Sequence, residues 1–225
     1  ICLICSKLCP DVYYIALACA RLGVRFCTLS DRISIHRLKK AISLLRPQGA
    51  LIHSDMPEEA QSVSLLNVET VFLTGISRGE DRDGECRLCE NVPYMEPSFE
   101  NTNLPIDEPL YHCLVWETSG EFRYITHTHK DMIGAYVTGK YVLDLRSDSV
   151  LWTDADPGCV ALVIYGIFAP LLCGCATVVQ GDAFAVSTWY WTLERLGVSV
   201  WFTDRIKFKK LCDEGVVPSI EALEE

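Results

Sequence analysis

Short apolar runs alternate with stretches of helical spacing from the first residue onward. Residues 1–5 form an apolar run of strand length. Residues 10–22 then place apolar side chains every three or four positions, opened by Pro10 and closed by Gly23. A strand over 25–29 leads to a helix that Ser34 can cap, that runs to Leu45 and that Pro47 terminates. Strands at 49–53 and 70–73 flank a helix at 57–66. Periodicity vanishes between Gly75 and Pro109, where a charged, glycine-containing stretch reads as a surface connection. A second alternating series follows: strand 110–115, helix 130–143, strand 150–153, helix 162–172, strand 176–179, helix 187–196 capped by Ser187, and strand 198–202.

Alternation of this kind predicts an α/β protein of two parallel-sheet βα units. The expected division is a first α/β portion at 1–76, a polar connection at 77–109, a second α/β portion at 110–218 and an acidic tail at 219–225. Residues 1–5 read as a buried strand that begins abruptly, as if the natural chain started earlier.

Composition narrows the function classes. Among 225 residues, 49% are hydrophobic and 22% charged, the balance of a soluble globular domain. No apolar stretch is long enough to span a membrane, and the start lacks the basic and apolar regions of a signal peptide. The net charge of −10 leaves no basic stripe for nucleic acid. The cluster Arg37, Lys39 and Lys40 reads as a solvated helix face. Twelve cysteines are many, yet most sit inside strand or helix patterns as small hydrophobes. That distribution points to a reducing cytoplasm rather than a disulfide framework. Cys86 and Cys89 have zinc-site spacing without a second pair nearby, so they read as a chance pair.

Two strand ends carry chemistry-bearing residues, and carboxyl ends of strands are where α/β folds gather them. After strand 110–115 comes Glu117-Thr118-Ser119-Gly120-Glu121-Phe122-Arg123-Tyr124. After strand 150–153 comes Asp154-Ala155-Asp156-Pro157-Gly158. A Thr-Ser-Gly turn can aim backbone N–H groups and hydroxyls at phosphate oxygens. Asp154 and Asp156 are Mg²⁺ ligands by type, although the turn itself offers them a structural role. His127 and His129 alternate and read as structural rather than metal-binding.

The text around these turns resembles the AMP-forming acetyl-CoA synthetases of the adenylate-forming superfamily. Trp152-Thr-Asp-Ala-Asp-Pro-Gly158 is similar to the family's W-C-T-A-D-P-G-W-V-T-G. Tyr165-Gly-Ile-Phe-Ala-Pro-Leu-Leu-Cys-Gly174 with Ala176-Thr177 is similar to Y-G-I-F-A-P-x-x-N-G-A-T. Trp189-Tyr-Trp-Thr-Leu-Glu-Arg-Leu-Gly-Val-Ser-Val-Trp201 is similar to W-Y-x-T-I-E-x-L-G-V-x-V-W, and Ala16-Leu-Ala-Cys-Ala-Arg-Leu-Gly23 matches the family's first helix. The matches run in the family's order over most of residues 1–212.

The resemblance implies a two-step ligase. ATP with Mg²⁺ and a short carboxylate give an acyl-adenylate and pyrophosphate, and coenzyme A then displaces AMP. It places Thr118, Ser119, Gly120 and Arg123 around phosphate, and Ala161, Leu162 and Tyr165 along the acyl side. It assigns no catalytic or metal-binding residue to this chain. The same comparison exposes three departures. The family loop T-S-G-[ST]-T-G-x-P-K-G is three residues shorter here, with Glu121 added and Arg123 at the lysine position. Cys159-Val160-Ala161-Leu162 replaces W-V-T-G. Thr203-Asp204-Arg205-Ile206-Lys207 replaces S-A-P-T-A. Nothing here resembles the family's later adenine motif, ribose-binding aspartate or adenylation lysine. Two expectations compete. The chain is a fragment whose activity depends on parts supplied elsewhere, for instance by a partner chain, or it is a decayed paralogue kept as a nucleotide, acyl or protein-binding module. A redox or metal protein using its cysteines is a third, unrelated class.

Overall fold

Proline, glycine and serine punctuation sets the first elements. In a computed structural model, described for residues 1–56, 68–75, 85–88, 92–96, 98–181 and 186–213, helix α1 spans Pro10–Leu22. Pro10 occupies its first turn, where no N–H is needed, and Gly23 closes it at φ 73°. Helix α2, Ile35–Leu45, is capped by Ser34, whose side chain accepts from the Arg37 N–H. The expected helix at 57–66, most of the polar connection and the acidic tail lie outside the described residues.

Contacts divide the chain into two compact units. Unit 1 holds residues Ile1–Asp131 and Pro157–Val160; unit 2 holds Met132–Asp156 and Ala161–Glu225. The boundary expected at 109/110 differs from this division. The strand after it pairs into the first sheet, so unit 1 takes in the strand expected at 110–115 and the further strand paired to it.

In unit 1 the strands are β1 (Cys2–Cys5), β2 (Phe26–Leu29), β3 (Gly49–His53), β4 (Thr70–Thr74), β5 (Glu85–Arg87), β6 (Pro109–Trp116) and β7 (Phe122–Thr128). They form one sheet in the order β5-β4-β3-β1-β2-β6-β7. All neighbours run parallel except β6 and β7, which form an antiparallel hairpin. The sheet is therefore mostly, not wholly, parallel. Leu38, Ala41, Ile42 and Leu45 form the buried stripe of α2 and pack on Leu3, Cys5, Cys27, Leu29, Ala50 and Ile52. Each such aliphatic side chain contributes roughly 1.5–3 kcal/mol relative to exposure. The alternate strand residues Cys2, Ile4 and Phe26 point the other way and are also buried.

Unit 2 contains α3 (Asp131–Tyr141, starting at the boundary), β8 (Val150–Thr153), a π-helical segment Leu162–Phe168 leading into α4 (Ala169–Cys173), β9 (Ala176–Val178), α5 (Val186–Arg195), β10 (Val200–Phe202) and α6 (Arg205–Asp213). Ser187 falls inside the first turn of α5, not before it as expected for a cap. The strands form a parallel sheet in the order β10-β8-β9. Trp152 stacks with Trp201 at 5.7 Å, and Trp189 of α5 meets both edge-on.

Pro170 has no N–H to give the Gly166 carbonyl, and the Thr177 hydroxyl donates to that oxygen instead, at 3.5 Å. Downstream, the Ala169 N–H reaches back to the Ile164 carbonyl. Gly166 is required here: an added Cβ would lie 2.7 Å from both Leu162 Cδ1 and Thr153 Cγ2. Thr153 is a β-branched residue in a strand and cannot yield. Gly166→Ala should cost roughly 1–3 kcal/mol in urea unfolding. Gly134→Ala, in α3 with open space around it, should instead stabilise by about 0.5–1 kcal/mol.

Candidate functional site

The residues expected around phosphate lie at the carboxyl end of β6, which runs parallel to β2. Pairing of β6 with β7 persists to Trp116↔Phe122. That leaves only a few residues to reverse the chain, and they close as a tight hairpin turn. The Gly120 N–H donates to the Glu117 carbonyl at 3.0 Å, and the Glu117 N–H donates to the Glu121 carbonyl at 2.9 Å. Gly120 adopts φ 82°. This is a type I turn followed by a left-handed residue, the usual solution for a short hairpin loop. The Glu121 N–H donates to the Ser119 hydroxyl at 3.3 Å. Three of the turn's amides, and one of its hydroxyls, are thus engaged within the turn itself.

Charges around the turn are paired with each other. Arg123 Nε lies 3.4 Å from Glu117 Oε1. Lys40 of α2 donates to the Gly120 carbonyl at 3.2 Å and to Glu121 Oε1 at 3.3 Å. Arg37 sits over the Trp116 ring at 4.6 Å, and Trp116 packs on Phe122. The supposed solvated face of α2 therefore clamps the hairpin. Each pair is exposed and contributes at most ~1 kcal/mol, but together they hold the turn against α2. Carboxylates at Glu117 and Glu121 flank residues 118–120. Each opposes a phosphate charge by about 1 kcal/mol at 4 Å in water, and by more as water is excluded.

On the acyl side, described within unit 2, Leu162 is fully buried and packs onto Gly166. It is core, so it presents no open wall. Tyr165 packs on Phe202 with ring centroids 5.1 Å apart, and Ala161 is half-buried. At the end of β8, Thr203 donates to Asp154 Oδ2 at 2.7 Å. Lys207 donates to the Asp154 carbonyl at 2.5 Å and pairs with Asp154 Oδ1 at 3.3 Å. Asp204 accepts from the Lys207 N–H at 2.9 Å, and this bond holds its carboxyl below the usual range. Residues that looked like damage to a tight turn instead cap α6 and neutralise Asp154. The family's phosphate and Mg²⁺ do not fit these groups. The amides of Glu117, Gly120 and Glu121 and the Asp154 carboxylate are already engaged, and among the described residues no three His, Cys, Asp or Glu side chains are placed to hold a metal.

Sequence reading missed a second convergence. Strand order reverses at β1, with β2 on one side and β3 on the other, so a crevice opens at the carboxyl ends of β1 and β3. Lys7, Asp31, His53, Asp55 and Met56 line it, around a space of about 70 Å³. Lys7 bonds Asp55 at 2.7 Å and holds its carboxyl below the usual range. His53 Nδ1 accepts from the Asp55 N–H at 3.1 Å, which leaves its proton on Nε2. These residues lie at or just beyond the ends of three separate strands, β1, β2 and β3, and only the strand order brings them together.

Residues 2–204 match the family model described as AMP-binding enzyme. The chain belongs to that family. It is 31% identical over 212 residues to the acetyl-coenzyme A synthetase of Bacillus subtilis, covering 92% of this chain and 36% of the relative. It is 25% identical over 225 residues to that of Deinococcus radiodurans, covering 92% of this chain and 35% of the relative. A solved Brucella canis acyl-CoA synthetase shares the fold at TM-score 0.85 and 17% identity, covering 95% of this chain and 39% of that one. The chain thus spans little more than a third of the proteins it matches.

Two buried histidines of unit 1 give a pH test. Burial pushes the pKa of His53 and of His112 below 6.5, and Lys7 adds to the shift at His53. Both stay neutral in the folded protein where the unfolded chain takes up protons. Their stabilising contribution is therefore present above about pH 6.5 and is lost as pH falls through the folded values. Urea midpoints should drop between pH 7 and pH 5, less steeply in a His53→Gln/His112→Gln variant, with a separate acid-titration phase absent from that variant.

Proposed function

We propose that this chain is part of an AMP-forming acid–CoA ligase of acetyl-CoA synthetase type, and that by itself it does not grip ATP. The family reaction would join a short carboxylate to coenzyme A through an acyl-adenylate, releasing AMP and pyrophosphate. The reading of an inactive phosphate site is supported by one observation above all: the amides of Glu117, Gly120 and Glu121 donate inside a closed hairpin, where a phosphate loop needs them free. Arg123 supports it too, because its guanidinium faces Glu117 and Arg does not reproduce the reach of Lys.

The chain then acts as a non-catalytic AMP-binding-family module, with a partner chain supplying whatever catalysis the assembly performs. The free thiols of all the described cysteines support a reducing compartment such as the cytoplasm, and no helix of the described residues is long and apolar enough to cross a membrane.

Isothermal titration with ATP·Mg²⁺ tests the reading. Binding should be weaker than about 1 mM, that is, less favourable than roughly −4 kcal/mol, and Arg123→Ala should leave the trace unchanged. Micromolar binding abolished by Arg123→Ala would restore a working phosphate site.

A further inference from the structure

Two buried thiols of unit 1 meet each other across the first strand and the first helix. Cys2 belongs to β1, and Cys19 lies on the buried side of α1 with Val12 and Ala16. Alternate side chains along a strand take opposite faces of the sheet. Leu3 and Cys5 pack on the α2 side, so Cys2 faces the other way, and the Cys19 thiol donates to its sulfur. The backbone fixes the pair as well. The Cys19 carbonyl accepts from the Val24 N–H at 2.9 Å, and the Cys2 N–H donates to the Arg25 carbonyl at 2.8 Å. Both cysteines are thus tied to neighbouring residues of the turn that Gly23 opens.

The two sulfurs are not equivalent. The bond from Cys19 holds the Cys2 thiol below the ordinary thiol range, and the same bond, with burial, pushes Cys19 up. Thiolate character governs attack on an oxidant, and a neighbouring thiol then resolves the product. Cys5 and Cys27 of the same sheet lack this geometry. They lie on adjacent parallel strands, but Cys27 is in register with Leu3 and Cys5 with Leu29. An offset of two residues and one strand is roughly 8 Å between Cα atoms, beyond the ~7 Å that a disulfide spans. Cys2 and Cys19 are each 6% exposed, and they lie under the end of a helix, where local opening takes least energy.

We propose that Cys2 and Cys19 are a redox modification site, a dithiol that a hydroperoxide converts into a disulfide stapling α1 to β1. The Cys2 thiolate attacks one peroxide oxygen and the O–O bond breaks. The departing oxygen takes up a proton and leaves as water or an alcohol, and Cys2 becomes a sulfenic acid. The Cys19 sulfur then attacks the Cys2 sulfur, the S–O bond breaks, and the Cys19 proton leaves with that oxygen as water. Two electrons pass from the two thiols to one peroxide, and a dithiol reductant reverses the change. Disulfides in a reducing compartment are transient and redox-sensing, so the free-thiol form is the resting one. The staple constrains the unfolded chain, so the oxidised form resists unfolding. It uses neither the phosphate turn nor a nucleotide, and its failure would leave the proposed function untouched.

Hydrogen peroxide treatment of the full chain, followed by tryptic mapping without reductant, tests the site. Cleavage after Lys7 and Arg21 leaves Cys2 with Cys5 in one peptide and Cys9 with Cys19 in the next. The map is therefore read in a Cys5→Ala/Cys9→Ala chain and, by fragmentation, in the unaltered one. Peptides 1–7 and 8–21 should appear joined through Cys2 and Cys19, and dithiothreitol should release them. The link should form roughly ten times faster in the folded chain than in urea, because folding holds the two sulfurs together. Oxidation should raise the urea midpoint and slow exchange of the Val24 N–H. Cys19→Ala should abolish both changes and leave a sulfenic acid at Cys2 that dimedone traps. The proposal is overturned if Cys2 and Cys19 stay reduced while the exposed Cys159 and Cys212 are oxidised. It is equally overturned if the link forms no faster than in urea, or if the midpoint rises as much in Cys19→Ser.

Discussion

The reading of this molecule depends on how the chain reverses between β6 and β7. A loop that binds phosphate must keep its N–H groups pointing outward and unshared. A hairpin turn does the opposite, because its stability comes from donating those groups to its own carbonyls. Pairing of the strands up to Trp116 and Phe122 leaves too little chain for both. The Trp116–Phe122 contact, the Arg37 guanidinium above it and the Lys40 bonds to the turn all favour the closed form. Opening the loop would expose two aromatic rings and break several bonds at once. The closed form of the turn is thus a consequence of strand pairing.

Unit 2 shows the complementary case, in which charge is organised by a new structural role. Asp154 would be a costly half-buried anion without partners. Thr203 and Lys207 supply them, and Asp204 fixes the helix that carries Lys207. Leu162, standing where the family has glycine, fills the space over Gly166 and Thr153. Polar groups and volume at this strand end are satisfied by the chain itself.

Much of the fold was legible in sequence, and the reasons are local. Helix α1 was read to the residue, because Pro10 and Gly23 act through their own φ preferences. The stripe of α2 follows from its 3.6-residue period and the Ser34 cap. Strand β7 escaped because its first residues, Phe122–Tyr124, were read as part of the turn, and its antiparallel course depends on pairing with β6. Helix α6 escaped because Arg205–Asp213 has no buried stripe to give a period. The unit boundary and the β1/β3 crevice depend on strand order, which no local pattern encodes. Of the residues expected around phosphate, the hairpin closed by the Gly120 and Glu121 amides could be seen only with geometry.

The collinear likeness to the family and the altered site are compatible because they rest on different residues. The matched stretches around residues 10–23, 152–158 and 189–201 include buried side chains such as Ala16, Cys19, Trp152 and Trp189, where a change of volume is felt throughout a close-packed interior. Of the altered positions, residues 117–123 and 203–207 are exposed or half-buried and tolerate substitution at little cost to folding, whereas Leu162 of the remaining departure is fully buried. Selection for stability alone would preserve the first set and leave the second free to drift. Drift does not by itself account for Asp154, Thr203, Asp204 and Lys207 satisfying one another, since random charges at a strand end are more often unpaired. Their mutual fit gives this strand end a structural role of its own: Thr203 and Lys207 hold Asp154, and Asp204 fixes the first turn of α6.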